Sequence, residues 1–274
     1  MIRDNPKQIS RAISENLAYS KAARFLPDAV FLRIRFRLDV GKRLSLRNPK
    51  TFNEKLQWIK LHDRRPEYNT MVDKYEAKKY VAEKIGSEYI IPTLGVWDNF
   101  DEIDFDALPN QFVLKCTHDS GSVVICNHKA SFDMQKAKQR LQKKLQSNMF
   151  WYGREWPYKD LKPRIICEKY MEDESGTELK DYKVMCFNGE PKLIQIHRGR
   201  FVDHTQDFYD TNWNKLDIDQ GYPQTETPMD KPAFLEQMLE LSRELSIGIA
   251  HIRVDWYFVN GQLYFGELTF FDGS

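Results

Sequence analysis

"IRVDWYFVNGQLYFGELTFFDGS" (residues 252–274) decides the fold. Aromatic and β-branched residues on both sides of Asn260-Gly261 read as strand, turn, strand. Yet Arg253, Asp255 and Glu267 lie within those strands, and charged side chains are rarely buried there without partners. Arg253 and Asp255 are two residues apart and share a face. Carboxylates on adjacent strands supply the hard oxygen ligands that suit Mg²⁺ beside phosphates. An arginine on that face suits stabilisation of a phosphoryl group in transfer.

Register decides whether Glu267 takes part. A two-residue Asn260-Gly261 loop opposes residue 254 to 267, which turns Glu267 away from Asp255. A three-residue loop with Gly261 as a bulge opposes 253 to 267 and 255 to 265. Arg253, Asp255, Glu267 and Thr269 then share one face. The metal reading therefore predicts the bulged turn.

The rest of the chain fits a globular enzyme. Its 274 residues are 41% hydrophobic and 30% charged, so the chain can bury a core. Lys and Arg number 41 against 40 for Asp and Glu, a balance that argues against a general nucleic-acid binder. Cys116, Cys126, Cys167 and Cys186 form no C-x-x-C pair and read as buried free thiols. "MIRDNPKQISRAISENL" lacks the apolar run of a secretory signal, and no stretch approaches the roughly 18 apolar residues of a membrane span. A cytoplasmic protein is the expectation.

Residues 1–66 read as a helical, basic extension, with Arg33, Arg35, Arg37, Lys42, Arg43 and Arg47 clustered. That cluster is either a solvated face or a contact with anionic lipid or glycan at the inner membrane surface. A helix is predicted from Met71 to Ile85, and "YIIPTLGVW" reads as a buried strand. "NQFVLKCTHDSGSVVIC" reads as strand, polar glycine turn, strand, followed by a helix capped by Ser131. "SNMFWYGREWPYKDLKP" is punctuated by Gly153, Pro157 and Pro163 and reads as an exposed loop. Its Trp151, Tyr152, Trp156 and Tyr158 either pack on one another or stack on a sugar. Strands follow at "RIICEKYM", "DYKVMCF" and "KLIQIH", with Asn188-Gly189 as a turn, and then a helix capped by Asp230. The order is α+β with mostly antiparallel strands.

Phosphate-loop, dinucleotide, serine-hydrolase and zincin motifs are all missing. Lys115 ends a strand just before "THDSGS", so it either snorkels to solvent or helps the loop cover phosphate. Asp181 and Lys183 share a strand face, forming either an internal ion pair or part of a site.

These stretches resemble an ATP-grasp ligase. "RVD…FGELT…GS" is similar to the metal-binding end of D-alanine–D-alanine ligases. "DKYEAKKYVAEKIGSEYIIPTLG", "FVLKCTHDSGS" and "CEKYME" resemble their upstream helix and strand, glycine-rich loop and adenine hinge. "TFNEKLQW", "LPNQFVLKCTH", "YKDLKPRIICEKYM", "DYKVMCFNGEPKLIQ" and "IRVDWYFVNGQLYFGELTF" resemble the TupA-like ATP-grasp family of surface-polysaccharide and teichuronopeptide biosynthesis. The resemblance runs from about Asn48 onward. It implies an ATP-grasp domain at 67–274, with a small ATP-binding part near 90–170 and a larger metal and acceptor part near 171–274.

The resemblance further implies that Lys74 and Lys115 contact ATP phosphates and that His118, Ser120, Gly121 and Ser122 cover them. Glu168, Lys169, Tyr170 and Met171 would form the adenine hinge, with Asp181 near the ribose. Lys183 would approach phosphate or substrate, and Arg253 the transferring phosphoryl group. Asp255, Glu267 and Thr269 would bind Mg²⁺, or Mn²⁺ in its place. The implied activity is ATP-dependent amide formation between a carboxylate and an amine such as an amino acid, on a glycan, nucleotide-sugar or lipid-linked acceptor. A glycosyltransferase, a sugar kinase on the same fold and a non-catalytic scaffold are the competing readings.

Overall fold

The computed structural model describes residues 6–173, 179–199 and 204–273; Ser274, the end of the quoted motif, lies outside them. Helices α1 (Pro6–Tyr19), α2 (Asp28–Val40) and α3 (Phe52–His62) open the chain. A capping box starts α3: Thr51 Oγ1 accepts from Glu54 N, and the Glu54 carboxylate accepts from Thr51 N. Next come α4 (Glu67–Val72), α5 (Glu76–Ile85), β1 (Thr93–Trp97), β2 (Phe112–Cys116), β3 (Val124–Cys126), α6 (Met134–Leu145), α7 (Met149–Gly153) and β4 (Ile165–Lys169). The chain continues through β5 (Asp181–Phe187), β6 (Glu190–Arg198), β7 (Thr205–Tyr209), β8 (Lys215–Leu216), α8 (Leu235–Ser246), β9 (His251–Val259) and β10 (Gln262–Thr269). Among the described residues no helix is long and apolar enough to cross a membrane.

The strands form two antiparallel sheets. One is ordered β1-β4-β2-β3, the other β10-β9-β5-β6-β7-β8. Alternation along β5, β6 and β9 gives the six-stranded sheet two unlike faces. Val184, Cys186, Ile194, Ile196, Val254 and Trp256 lie on one face, each fully buried in a core shared with α4, α5 and α8. Asp181, Lys183, Gln195, Arg253 and Asp255 occupy the other face, also buried. A one-residue slip would expose the whole apolar set, at about 1.5–3 kcal/mol per large side chain. This pattern pins the register of the polar face. The four-stranded sheet packs Phe112, Leu114 and Ile165 against Ala137 and Leu141 of α6. All four cysteines are buried and free, and burial pushes the Cys116, Cys167 and Cys186 thiols up to about 12.

Several local expectations are corrected. The helix predicted over 71–85 is broken at Asp73–Tyr75. Asp73 Oδ1 accepts from the N–H groups of Tyr75 and Glu76 and so starts a new helix, while Lys74 N donates to Thr117 O at 2.9 Å. The break turns Lys74 toward the glycine loop. Strand β1, expected to be buried, is an edge strand and partly exposed. Asp133, not Ser131, caps α6 through Lys136 N at 2.9 Å. Helix α8 begins at Leu235 and Asp230 does not cap it. The residue before a proline avoids helical geometry, so Lys231, ahead of Pro232, stays outside the helix.

The aromatic segment is not an exposed loop. It forms α7 and a short 3₁₀ turn, Trp156–Tyr158, docked on the N-terminal helices. The decisive residue is Arg154, 1% exposed, whose guanidinium stacks 4.4 Å from the Phe31 ring centroid and donates to Ala23 O at 2.7 Å. Arg35 donates to Tyr152 O at 2.6 Å, so part of the basic cluster is structural, while Arg33, Arg37, Lys42, Arg43 and Arg47 stay exposed.

Candidate active site

The β9–β10 turn is the two-residue kind. Val259 opposes Gln262, and Asn260 and Gly261 both have positive φ, 50° and 80°. The bulge expected at Gly261 is absent. It lies five residues later instead. Pairing runs to Phe265 opposite Trp256 and resumes at Leu268 opposite Val254, leaving Gly266 and Glu267 both facing Asp255. The extra residue re-aims Glu267 from the apolar face to the polar one. The bulge leaves little room for a side chain: a Cβ on residue 266 would sit 3.0 Å from the Tyr257 ring and 3.2 Å from Asp255 O. Gly266→Val is expected to cost about 1–3 kcal/mol by overpacking and to weaken Mg²⁺–ATP binding at least about tenfold. Urea unfolding and nucleotide titration check this, and unchanged nucleotide affinity would show that Glu267 does not need the bulge.

Arg253 collects the carboxylates. Its Nε and Nη2 reach Asp255 at 2.6 and 2.7 Å, its Nη2 reaches Glu267 at 3.0 Å, and its Nη1 pairs with Asp272. Lys183 pairs with Asp181 at 2.8 Å and also with Asp255. Thr269 donates to Glu267 Oε1 at 3.3 Å. Burial alone would pull the Arg253 and Lys183 cations down, but Asp255 and its neighbours outweigh it and both are raised. Burial and Asp255 push the Glu267 carboxyl up, but Lys74, Arg253 and Lys183 hold it below the usual range. Its side chain keeps 39% exposure, so it can still reach a ligand.

Four carboxylates thus face Arg253 and Lys183. That surplus of negative oxygen fits a divalent cation by donor chemistry. Among the described residues, however, no group of three or more His, Cys, Asp or Glu could hold a metal alone. Asp255 and Glu267 would therefore hold Mg²⁺ jointly with phosphate oxygens, the usual mode for that ion.

The other wall comes from the small sheet. Glu168, 4% exposed, is clamped by Lys78 and Lys115, each at 2.6 Å. Lys78 also donates to Ile91 O at 2.6 Å. Burial pushes the Glu168 carboxyl up, and Lys115 and Lys78 outweigh it to leave the carboxyl lowered. The Lys169 N–H is already committed to Pro92 O at 3.0 Å. Tyr170 and Met171 follow, half-buried, past the last ladder pair Lys169–Phe112.

In the loop between β2 and β3, His118 and Ser122 turn inward. His118 Nε2 lies 3.2 Å from Ser147 O. Ser122 Oγ accepts from Cys116 N at 2.8 Å and donates to the buried Asp119 at 2.6 Å. Ser120 and Gly121 are exposed, and their carbonyls are held by Lys144 and Arg140 of α6. Lys74 Nζ donates to Asp119 O and is close enough to act on Glu267, so the two walls meet at Lys74. Of the predicted site residues, Lys74, Asp181, Lys183, Arg253, Asp255, Glu267 and Thr269 are gathered at the large sheet, and Lys115 and Glu168 at the small one. His118 and Ser122 serve as braces. Sequence reasoning missed Lys78, four residues after Lys74, and Asp272, just beyond the quoted motif.

The family model for TupA-like ATPgrasp matches residues 54–274. The chain belongs to the TupA-like ATP-grasp family. Solved structures of ATP-grasp ligases are similar to this family member at low identity. D-alanine–D-alanine ligase from Bacillus anthracis complexed with ATP is 15% identical with a TM-score of 0.44, the match covering 74% of this chain and 55% of that one. The ATP-grasp ligase PsnB, complexed with a phosphomimetic variant of its minimal precursor, Mg and ADP, is 9% identical with a TM-score of 0.44. That match covers 91% of this chain and 64% of PsnB, so the chain spans between half and two thirds of these ligases. No curated protein matches the sequence.

Proposed function

We propose that this TupA-like protein is an ATP-dependent carboxylate–amine ligase that forms an amide on a surface-polysaccharide precursor. The observation that supports it most is Arg253 held by Asp255, Glu267 and Asp272 opposite Lys74. Such an arginine is fixed before any ligand arrives, so it can stabilise charge on a phosphoryl group without reorganising. In this reading the substrate carboxylate attacks the γ-phosphorus and ADP departs. The amine then attacks the acyl phosphate, loses a proton and releases inorganic phosphate. Lys183 and Arg253 offset the charge of the phosphoryl oxygens, and Lys74 and Lys115 that of the leaving ADP. Mg²⁺, when bound, neutralises phosphate oxygens beside Asp255 and Glu267.

Incubation with ATP, Mg²⁺ and paired uronic or amino-acid carboxylates and amines tests this by product mass. ADP, phosphate and an amide are expected in equal amounts. ADP with a phosphosugar would instead identify a kinase, and turnover of a nucleotide-sugar without ATP a glycosyltransferase.

A further inference from the structure

A second site lies away from the nucleotide walls. Asn53, Gln57 and Lys60 follow one another at helical spacing on α3; Asn53 is exposed, while Gln57 and Lys60 turn inward, 7% and 1% exposed. All three line a cleft of about 770 Å³ between α1, α2 and α3, a size that suits a small-molecule ligand. The Lys60 ammonium has no carboxylate within ion-pair distance and no hydrogen bond among the described residues; the Phe271 ring is its nearest aromatic face, at 5.6 Å. Glu155 and Asp39 act on it from beyond ion-pair distance, and a buried ammonium without a direct ion pair is costly and is retained where something pairs with it. The other charges of the cleft are mostly spoken for: Arg11 pairs with Glu15, and Arg35 with Asp39.

We propose that this cleft binds the carboxylate of a small-molecule substrate, with Lys60 as its counter-ion and the Gln57 and Asn53 amides as hydrogen-bond donors. One buried cation matches one carboxylate, whereas phosphate would bring excess negative charge into the cleft. Burial first, with Arg35 adding to it, pushes the Lys60 ammonium down to about 8, against Glu155 and Asp39. The cleft is also placed to feed the active site. Gly273 lines it, and the adjoining Asp272 anchors Arg253. Naming the carboxylate as substrate rests on the ligase reading; its binding does not.

Thermal melts of the full chain with succinate, L-glutamate, uncharged succinamide or inorganic phosphate test the proposal in the wild type, Lys60→Met and Gln57→Leu. Succinate or glutamate at about ten times Kd should raise the wild-type Tm by roughly 2–4 °C. Lys60→Met should not respond, and Gln57→Leu should bind about tenfold more weakly. Succinamide should have no effect on any of them. A wild type that responds to neither carboxylate, a Lys60→Met that responds normally, or phosphate acting as strongly as the carboxylates would each overturn it. The Mg²⁺–ATP response in the same melts should persist in Lys60→Met, which shows that the variant is folded. Its absence from the wild type would instead overturn the ligase reading and leave the carboxylate response standing.

Discussion

Asp255→Asn should abolish ATP-dependent turnover, with a fall of about 10³-fold or more. Both Asp255 oxygens hold a buried cation, Arg253 on one side and Lys183 on the other. Asparagine keeps the shape but removes the charge that fixes both groups and that would share Mg²⁺. Truncating a buried pair typically costs about 3–5 kcal/mol. Asp181, Glu267 and Asp272 remain as partners, so the stability loss should fall near the lower end. Mg²⁺-dependent ADP release and urea unfolding read the two effects separately. Turnover near the wild-type rate would refute the site.

Glu168→Gln is expected to have the larger effect on stability. Lys78 and Lys115 both lie within 2.6 Å of this one carboxylate, so neutralising it leaves two cations without their counter-ion. A loss of about 3–5 kcal/mol follows. The pH dependence has a definite sign. Burial raises the Glu168 carboxyl and the two lysines more than reverse this, so its folded value is depressed. Its contribution is complete above the unfolded value, about 4.3, and is lost as pH falls through the lower folded value. Acid titration of unfolding stability should therefore be steeper in the wild type than in Glu168→Gln below about pH 4.3. Parallel profiles would mean the clamp contributes nothing, and nucleotide affinity measured alongside reports whether Lys115 keeps its position without Glu168.

The polar residues of β5 and β9 were legible because strand alternation is local. Asp181 and Lys183, like Arg253 and Asp255, share a face whatever the rest of the chain does. The β10 side was not, because its register depends on a bulge. The Asn260-Gly261 signal was correct for a two-residue turn, and nothing in the local sequence singled out Gly266, where the bulge lies. His118 and Ser122 carried the composition of a phosphate loop, but their partners Ser147 and Asp119 turn them inward. The aromatic segment misled for the same reason. Its glycine and prolines suggest exposure, while the groups that cover it, the Arg35 guanidinium and the Ala23 carbonyl, lie more than a hundred positions earlier.

Sequence alone determined the family, the alternation of the two faces and most of the charged residues of the candidate site, since periodicity and motif order are properties of neighbouring residues. Tertiary structure decided which charges meet. The bulge at Gly266 brings Glu267 to Arg253, the helix break at Asp73 brings Lys74 to the loop, and the packing of α1–α3 buries Lys60 beside a cleft. Ion pairing falls off over a few ångströms, so a one-residue shift in register or a three-residue break in a helix sets which groups interact.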